Sequence, residues 1–439
     1  MTELAALAAD SGIAADQNYL DVIGNNIANS NTAGYKSQSV QFTDLLAEQV
    51  AGATAPPAGN TGAGLNPIDI GTGVRVGATS ANLTEGSLAQ TGVPTDVAIS
   101  GNGYLVVVSN GAQSFTRDGA LTVDAAGHLA TATGGLVQGW QANGAGVVAN
   151  NQPIAPITIP QGETIGANQT TKLVLGGNLP AWSGTGTAPV QTTTIDAYDA
   201  LGNQVPVTLT FTGVTGTANQ WTVQGTVKNP DGTTTQLWTT PPTIAFNPTT
   251  GQVTSVTGGT ADPTNPAITD LAVNTMPTGH GFNFPATDTW MFQFPAAGSS
   301  GAVTQYQSGS TIGVTSQDGY ASGALQSFSI GSDGTISGAF SNGKTLAIGQ
   351  IALANFANPG GLTDQGGGLF AQSANSGQPQ VGVPGSGGRG SLIGGALEQS
   401  NVNLGKQLTD LINAQEAYVG NTKTLATDQQ MVQSLESVA

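Results

Sequence analysis

Two carboxylates are the first residues whose types and spacing suggest chemistry. Asp196 and Asp199, in TTTIDAYDALGN, could act as the general acid and base of a glycosidase. Their surroundings read as a strand, where residues three apart point to opposite faces, and Asp199 opens a turn. The two histidines, His128 and His280, lie far apart, and neither stands in the H-E-x-x-H spacing of a zinc site. There is no cysteine, which excludes disulfides, thiolate ligands and a cysteine nucleophile. GNGY at 101–104 lacks the third glycine and the following helix of a dinucleotide loop. No GxSxG, P-loop or EF-hand loop occurs, and the isolated Asp-Gly pairs read as turns rather than calcium ligands. The expectation is a protein without catalytic residues, metal or cofactor.

The chemistry that remains is amide hydrogen bonding. DVIGNNIANSNTAGYK (21–36) carries Asn25, Asn26, Asn29 and Asn31 beside the apolar marks Ile23 and Ile27, and runs into Gly34 and Tyr35. An amide both donates and accepts, which suits a helix end packed tightly against other helices. Gly24, Ala28 and Ala33 would allow backbones to approach. Asn31 and Gly34 are expected at positive φ, ending the helix and turning the chain outward.

Helical periodicity that could position these residues appears only at the two ends. Leu397, Leu404, Leu411, Tyr418, Leu425, Val432 and Ala439 recur every seven residues, widened by Leu408 and Leu435. The other faces carry Gln399, Asn403, Gln407, Asn413, Gln415, Asn421, Gln429 and Gln433. Ile13, Leu20 and Ile27 repeat at the same interval near the start. Burying six or seven such residues yields on the order of 10 kcal/mol, while ordering the backbone costs about 1–2 kcal/mol per residue. A lone helix pair is therefore marginal, and the terminal segments are expected to be disordered in the monomer and to fold on assembly.

Everything between reads as β. Asn-Gly at 102, 110, 143 and 342 and Asp-Gly at 118, 231, 318 and 333 are expected to make type I′ turns between runs such as YLVVV and VPVTLTF. The fold class is mainly β with α-helical termini, a coiled-coil inner domain, a Gly/Pro-rich connector and two nested β domains. The expected division is 1–35 with 397–439 as helical core, and 36–70 with 381–396 as connector. An inner β domain takes 71–146 with 305–380, and an inserted outer one takes 147–304.

Only 8% of residues are charged, against about 25% in ordinary domains. The net charge is −17 with nine Lys and Arg in all, which argues against nucleic acid and anionic membranes as partners. The low-charge, cysteine-free composition looks extracellular. The first residues nevertheless lack a basic n-region, so no cleaved signal is expected.

LDVIGNNIANSNTAGYKS and NVNLGKQLTDLINAQEAYVGNTKTLATDQQMVQSL together resemble the terminal signatures of the rod, hook and hook-associated axial-protein family of the bacterial flagellum. VPTDVAISGNGYLVV, SFTRDGALTVDAAGHLATATGGLVQGW, TIDAYDALGNQVPVTLTF and FSNGKTLAIGQIALANFANPGGL are most similar to its hook branch. The resemblance implies an extracellular structural subunit that polymerises into a curved, flexible tube, a universal joint from rod to filament with a central export channel. Another axial position, distal rod or hook-associated, is the alternative; a secreted β-rich adhesin is a further one. Implied partners are further copies of the chain, the distal rod protein, the hook-associated junction protein, the hook cap and hook-length ruler proteins, and the type III export apparatus.

For residues, the resemblance implies axial assembly through Ile23, Asn25, Asn26, Ile27, Asn29, Asn31, Gly34 and Tyr35 on the first helix, with amides pairing across subunits. On the second helix it implies Leu397, Leu404, Leu408, Leu411, Gln415, Tyr418, Leu425 and Val432. Phe42 and Leu46 match the family's export-gate pattern.

Overall fold

The computed structural model describes residues 2–54, 65–109, 111–160, 162, 164–261, 269–278, 281–285 and 289–437. Residues 55–64 of the expected 36–70 connector and His280 lie outside them. Among the described residues, α-helix occurs only at the ends, as α1 (Thr2–Ala28) and α2 (Leu404–Glu436). Neither is long and apolar enough to cross a membrane. The intervening chain forms antiparallel and mixed sheets.

The chain divides into two compact units. The first comprises Met1–Ile159, Phe328–Gly338 and Leu346–Ala439; the second comprises Pro160–Ser327 and Ala339–Thr345.

In the first unit, α1 packs antiparallel on α2 and lies against a two-stranded ribbon of β1 (Gln38–Asp44) and β4 (Val74–Ala81). A second ribbon pairs β2 (Ala47–Ala51) with β3 (Ile68–Gly71). The body is a sheet in which Thr345–Ile351, Leu136–Gln141, Tyr104–Ser109, Ala112–Thr116, Leu369–Ala371 and Thr363–Gly366 follow in spatial order. YLVVV is buried on both faces, as a near-continuous apolar run requires. Its core joins Tyr104, Val106, Phe115, Ala354 and Phe356, with edge-to-face rings such as Phe115–Phe356 at 4.8 Å.

In the second unit, a meander of Val190–Tyr198, Gln204–Gly213, Gln220–Lys228, Thr243–Phe246 and Val253–Val256 forms one sheet. The other is built around Lys172–Pro180, which pairs parallel to Met291–Phe294 and Val303–Tyr306. Strict alternation aims Val205, Val207, Leu209 and Phe211 inward, where they meet Leu173, Leu175, Trp238, Trp290 and Phe292 from the rest of the unit.

Several expectations need correction. Asn219 is the one described non-glycine residue at positive φ, so the Asn-Gly pairs at 102, 143 and 342 and the four Asp-Gly pairs do not make type I′ turns, while Asn110 lies outside the described residues. At 231–232, 333–334 and 342–343 only the glycine is left-handed. There the N–H and C=O pattern, for example Gly331 N to Thr335 O and Gly334 N to Gly331 O, marks a type I turn closed by a bulge. Gly119 serves a different need. A Cβ there would stand 1.6 Å from the Val97 carbonyl oxygen, so close backbone approach demands glycine. The 381–396 stretch, expected as a connector, is largely paired: Ser391–Gly394 joins Val97–Ser100 and Ala396–Glu398 joins Leu88–Gln90.

Asp199 does open a turn, and it is buried. Its carboxylate accepts N–H bonds from Leu201, Asn203 and Asn283 and from the Asn203 amide. Asp196, on the exposed face of its strand, does not join it.

Two predictions follow from this packing. Gly119→Ala forces backbone apart and is expected to lower stability by about 3 kcal/mol or more, read from urea midpoints. Burial pushes the Asp199 carboxyl up, but its four donors more than offset this and hold it below the ordinary 3.8. The second unit therefore has a stabilising contribution that is complete above pH 4 and disappears as pH falls through the depressed value. Asp199→Asn should flatten that acid limb and destabilise the unit by about 1–3 kcal/mol at pH 7.

Candidate assembly site

The N-terminal site residues lie where α1 ends, and those on α2 are spread along its length. Asn26 is almost fully buried and uses its whole amide within the chain. Nδ2 donates to Gln38 O (2.7 Å) and Gln407 Oε1 (3.1 Å), while Oδ1 accepts from Gln38 N (2.8 Å) and Tyr35 O–H (3.1 Å). This asparagine has no capacity left to pair across subunits. Asn29 donates to Asn25 O and Oδ1 and accepts from Thr32 Oγ1, closing the last turn. Asn31 is exposed and not left-handed, contrary to expectation; Gly34 alone takes positive φ, at 68°. Its N–H donates to Glu398 O at 2.8 Å, and a Cβ would stand 2.8 Å from the Arg117 carbonyl group.

The helix pair is joined along a polar line. On α1, Ala9, Gly12, Asp16, Tyr19, Ile23 and Asn26 recur at alternating spacings of three and four, and Ile23 and Asn26 are the most deeply buried side chains among them. Ile27, like Ile13 and Leu20, is half-buried. On α2 the matching line is Gln407, Leu411, Ala414, Tyr418, Asn421, Leu425 and Asp428. Asn421 Nδ2 donates to Asp16 Oδ2 at 2.9 Å, directly over Gly12, where a Cβ would stand 2.6 Å from that nitrogen. Gln407 and Asn421, expected on the outer faces, thus occupy the seam, because Gly12 and the Asn26 amide leave room and donors for them.

The apolar stripe is correspondingly split. Leu411, Tyr418 and Leu425 are half-buried toward α1, whereas Leu404, Leu408 and Val432 are exposed, together with Ile412, Val419 and Met431. Gln415 is exposed on the outer side. Leu397 is not helical. It pairs with Ala89 in a strand, because α2 begins only after Asn403, whose Oδ1 accepts the Lys406 N–H as an N-cap. Phe42 lies on β1, opposite Val76, with its ring edge-to-face on Tyr19 at 5.6 Å; Leu46 is 90% exposed beyond it.

Sequence reading missed the residues that anchor this corner. Lys36 Nζ meets Glu398 Oε1 at 2.5 Å, and Arg117 Nε meets Glu398 Oε2 at 3.0 Å, all three buried. Lys36 also donates to Thr84 O, Gly86 N–H donates to Glu398 Oε1, and Arg117 Nη2 donates to Ile99 O and Gly101 O. Burial pushes the Lys36 ammonium below its usual range in spite of Glu398. A faint signal existed: in a chain with nine Lys and Arg, one sits in the otherwise uncharged TAGYKS and one beside Asp118 in SFTRDG. Among the described residues, no group of three or more His, Cys, Asp and Glu is placed to hold a metal ion.

Comparison with known proteins agrees on one family. Models described as flagella basal body rod protein, flagellar hook protein FlgE/F/G D1 domain, flagellar basal body protein FlaE D2 domain and flagellar basal body rod FlgEFG protein C-terminal match residues 7–36, 98–175, 180–320 and 393–438. The chain is 34% identical to the flagellar hook protein FlgE of Treponema pallidum (strain Nichols), across 98% of each. It is 33% identical to that of Salmonella typhimurium, across 97% of each. A crystal structure of the Helicobacter pylori flagellar hook protein FlgE2 shares the fold, with a TM-score of 0.52 at 15% identity, over 71% of this chain and 100% of that one.

Removing the Glu398 carboxylate should leave two buried cations unpaired. Glu398→Ala is expected to destabilise the first unit by about 3–5 kcal/mol, read as a lowered denaturant midpoint. Glu398→Gln, which keeps acceptor geometry on one side, should cost less.

Proposed function

This chain belongs to the flagellar hook and rod protein family, and from that premise we propose that it is the structural subunit of a hook. In this reading copies polymerise through α1 and α2 into a curved tube that passes motor torque from rod to filament and leaves a channel for export. The observation that carries the reading is the apolar surface that one subunit leaves open. Leu404, Leu408, Ile412 and Val419 follow one another along the outer side of α2, each 46–56% exposed, and Leu7 of α1 is 53% exposed. Contiguous apolar surface on a soluble chain marks an interaction site.

Two helical glycines support the same reading. Nothing lies within 4 Å of where a Cβ would stand at Gly24 or Gly420. Glycine inside a helix costs about 1 kcal/mol relative to alanine, and no contact within the subunit requires it at either place. Close approach of a neighbouring helix would. Because the seam between α1 and α2 is largely polar, the pair is weakly held alone and gains order as neighbours cover it.

The bending function rests on connectivity. The chain passes between its two units four times, after residues 159, 327, 338 and 345. We read the nested layout of helical core, connector, inner and outer β domains as rigid bodies joined by such passages, able to shift as the tube turns. The partners follow from position: copies of itself, the distal rod protein below, the junction protein above, the cap and length-ruler proteins during growth, and the type III export apparatus. Phe42 and Leu46 would serve export in the unfolded chain, before Phe42 packs on Tyr19. The mature chain would lie outside the cell.

Electron microscopy of basal bodies from a strain lacking this gene tests the assignment. A complete rod bearing no hook is the expected result; a truncated rod, or a hook without a filament, would move the chain to another axial position. Leu408→Asp and Ile412→Asp are expected to change subunit stability by about 0.5 kcal/mol or less while abolishing polymerisation, measured by sedimentation. Phe42→Ala should reduce the exported amount of chain.

A further inference from the structure

The fold holds its Asn-Gly pairs in very different ways. At 342–343 every group that could react is occupied. Asn342 Nδ2 donates to Ala321 O at 2.7 Å, its Oδ1 accepts the Lys344 N–H, and the Gly343 N–H donates to Phe340 O. At 143–144 the Asn143 Oδ1 accepts N–H bonds from Ala145 and Val147. At 102–103 the reacting groups are open. Asn102 is exposed, its side-chain amide makes no hydrogen bond among the described residues, and the Gly103 N–H meets no acceptor there either.

We propose that Asn102 is a self-modifying site, which converts to aspartate and isoaspartate without an enzyme. The Gly103 nitrogen gives up its proton to base and attacks the side-chain carbonyl carbon of Asn102. The new N–C bond closes a succinimide ring, the Cγ–Nδ2 bond breaks, and Nδ2 leaves as ammonia. Water then adds to either ring carbonyl. Opening one way yields aspartate; opening the other yields isoaspartate, whose main chain runs through the side-chain carbons. No oxidant or cofactor enters, and each event replaces a neutral amide with one negative charge.

The surroundings assist the first step. The Gly390 N–H donates to Asn102 O at 2.5 Å and stabilises the charge that builds on that peptide oxygen as the Gly103 proton leaves. Glycine at 103 offers no side chain to obstruct the ring. The turn is also a poor place for extra main chain. Gly101 O accepts Arg117 Nη2 and the Gly101 N–H donates to Glu85 Oε2. Isoaspartate at 102 therefore pulls on a neighbour that helps to hold the Arg117 side of the Glu398 cluster.

Peptide mapping of the full-length chain in mildly alkaline, heavy-oxygen water tests this, with folded and denatured samples compared. Asn102 is expected to react as fast folded as denatured. Asn143 and Asn342 should slow about tenfold or more on folding, because each must first give up two hydrogen bonds. Asn102→Gln should end the charge gain at this position. Its chain should also keep its thermal unfolding midpoint through an incubation that lowers that of the wild type. An Asn102 slowed on folding as much as Asn342, or an incubated Asn102→Gln chain whose midpoint falls as far as the wild type's, would overturn the proposal.

Discussion

One buried carboxylate holds the first unit together. Glu398 lies at the threshold of the C-terminal helix, and its two oxygens take up Lys36, just past the N-terminal helix, Arg117, from the β body, and the Gly86 N–H. Four stretches that are far apart in sequence therefore converge on one side chain. Desolvating three charges is expensive unless every donor and acceptor is met. Here the Thr84 carbonyl takes a further Lys36 N–H, and the Ile99 and Gly101 carbonyls take those of Arg117 Nη2. The directionality of these bonds is what hydrophobic contact cannot supply. Glu398 also fixes the exit of α1, because its carbonyl receives the Gly34 N–H at the one position of that turn where the chain goes left-handed.

The helix pair above this anchor follows a different logic. A seam of leucines would bind tightly but could slip by a turn; Asn26 with Gln407, and Asp16 with Asn421 over Gly12, define a single register. Specificity of that kind is obtained at the expense of apolar burial. The apolar residues not used in the seam remain along the outer side of α2, where they are free to meet other chains. Register within the subunit is thus set on one face of α2, and its apolar surface lies on another.

The β bodies carry little charge and rely on alternation. In the second unit, inward positions of both sheets fill one aromatic-rich core, while Thr and Gln occupy the outward positions of strands such as Val190–Tyr198 and Gln220–Lys228. Such surfaces are polar yet almost uncharged, so they resist aggregation without forming strong ion pairs.

The sequence by itself determined the broad plan. Seven-residue periodicity at the ends and alternation with Gly-containing turns between them are local patterns, and local patterns set helix and strand wherever one face must be buried. The terminal signatures likewise placed the chain in its family. The sequence could not reveal which helical positions face inward, because Leu404 and Leu411 are equivalent in a heptad count, yet only Leu411 is half-buried toward α1. It placed Leu397 on the helix, since spacing continues through a strand without notice and the Asn403 cap is a matter of geometry. It read the asparagines as one group, whereas folding saturates Asn26, turns Asn25 and Asn29 on each other and leaves Asn31 in solvent. Tertiary structure alone decided the Lys36–Glu398–Arg117 cluster, because partners 281 and 362 residues apart leave no periodic trace; what joins them is the three-dimensional need to pair charges that the fold has removed from water.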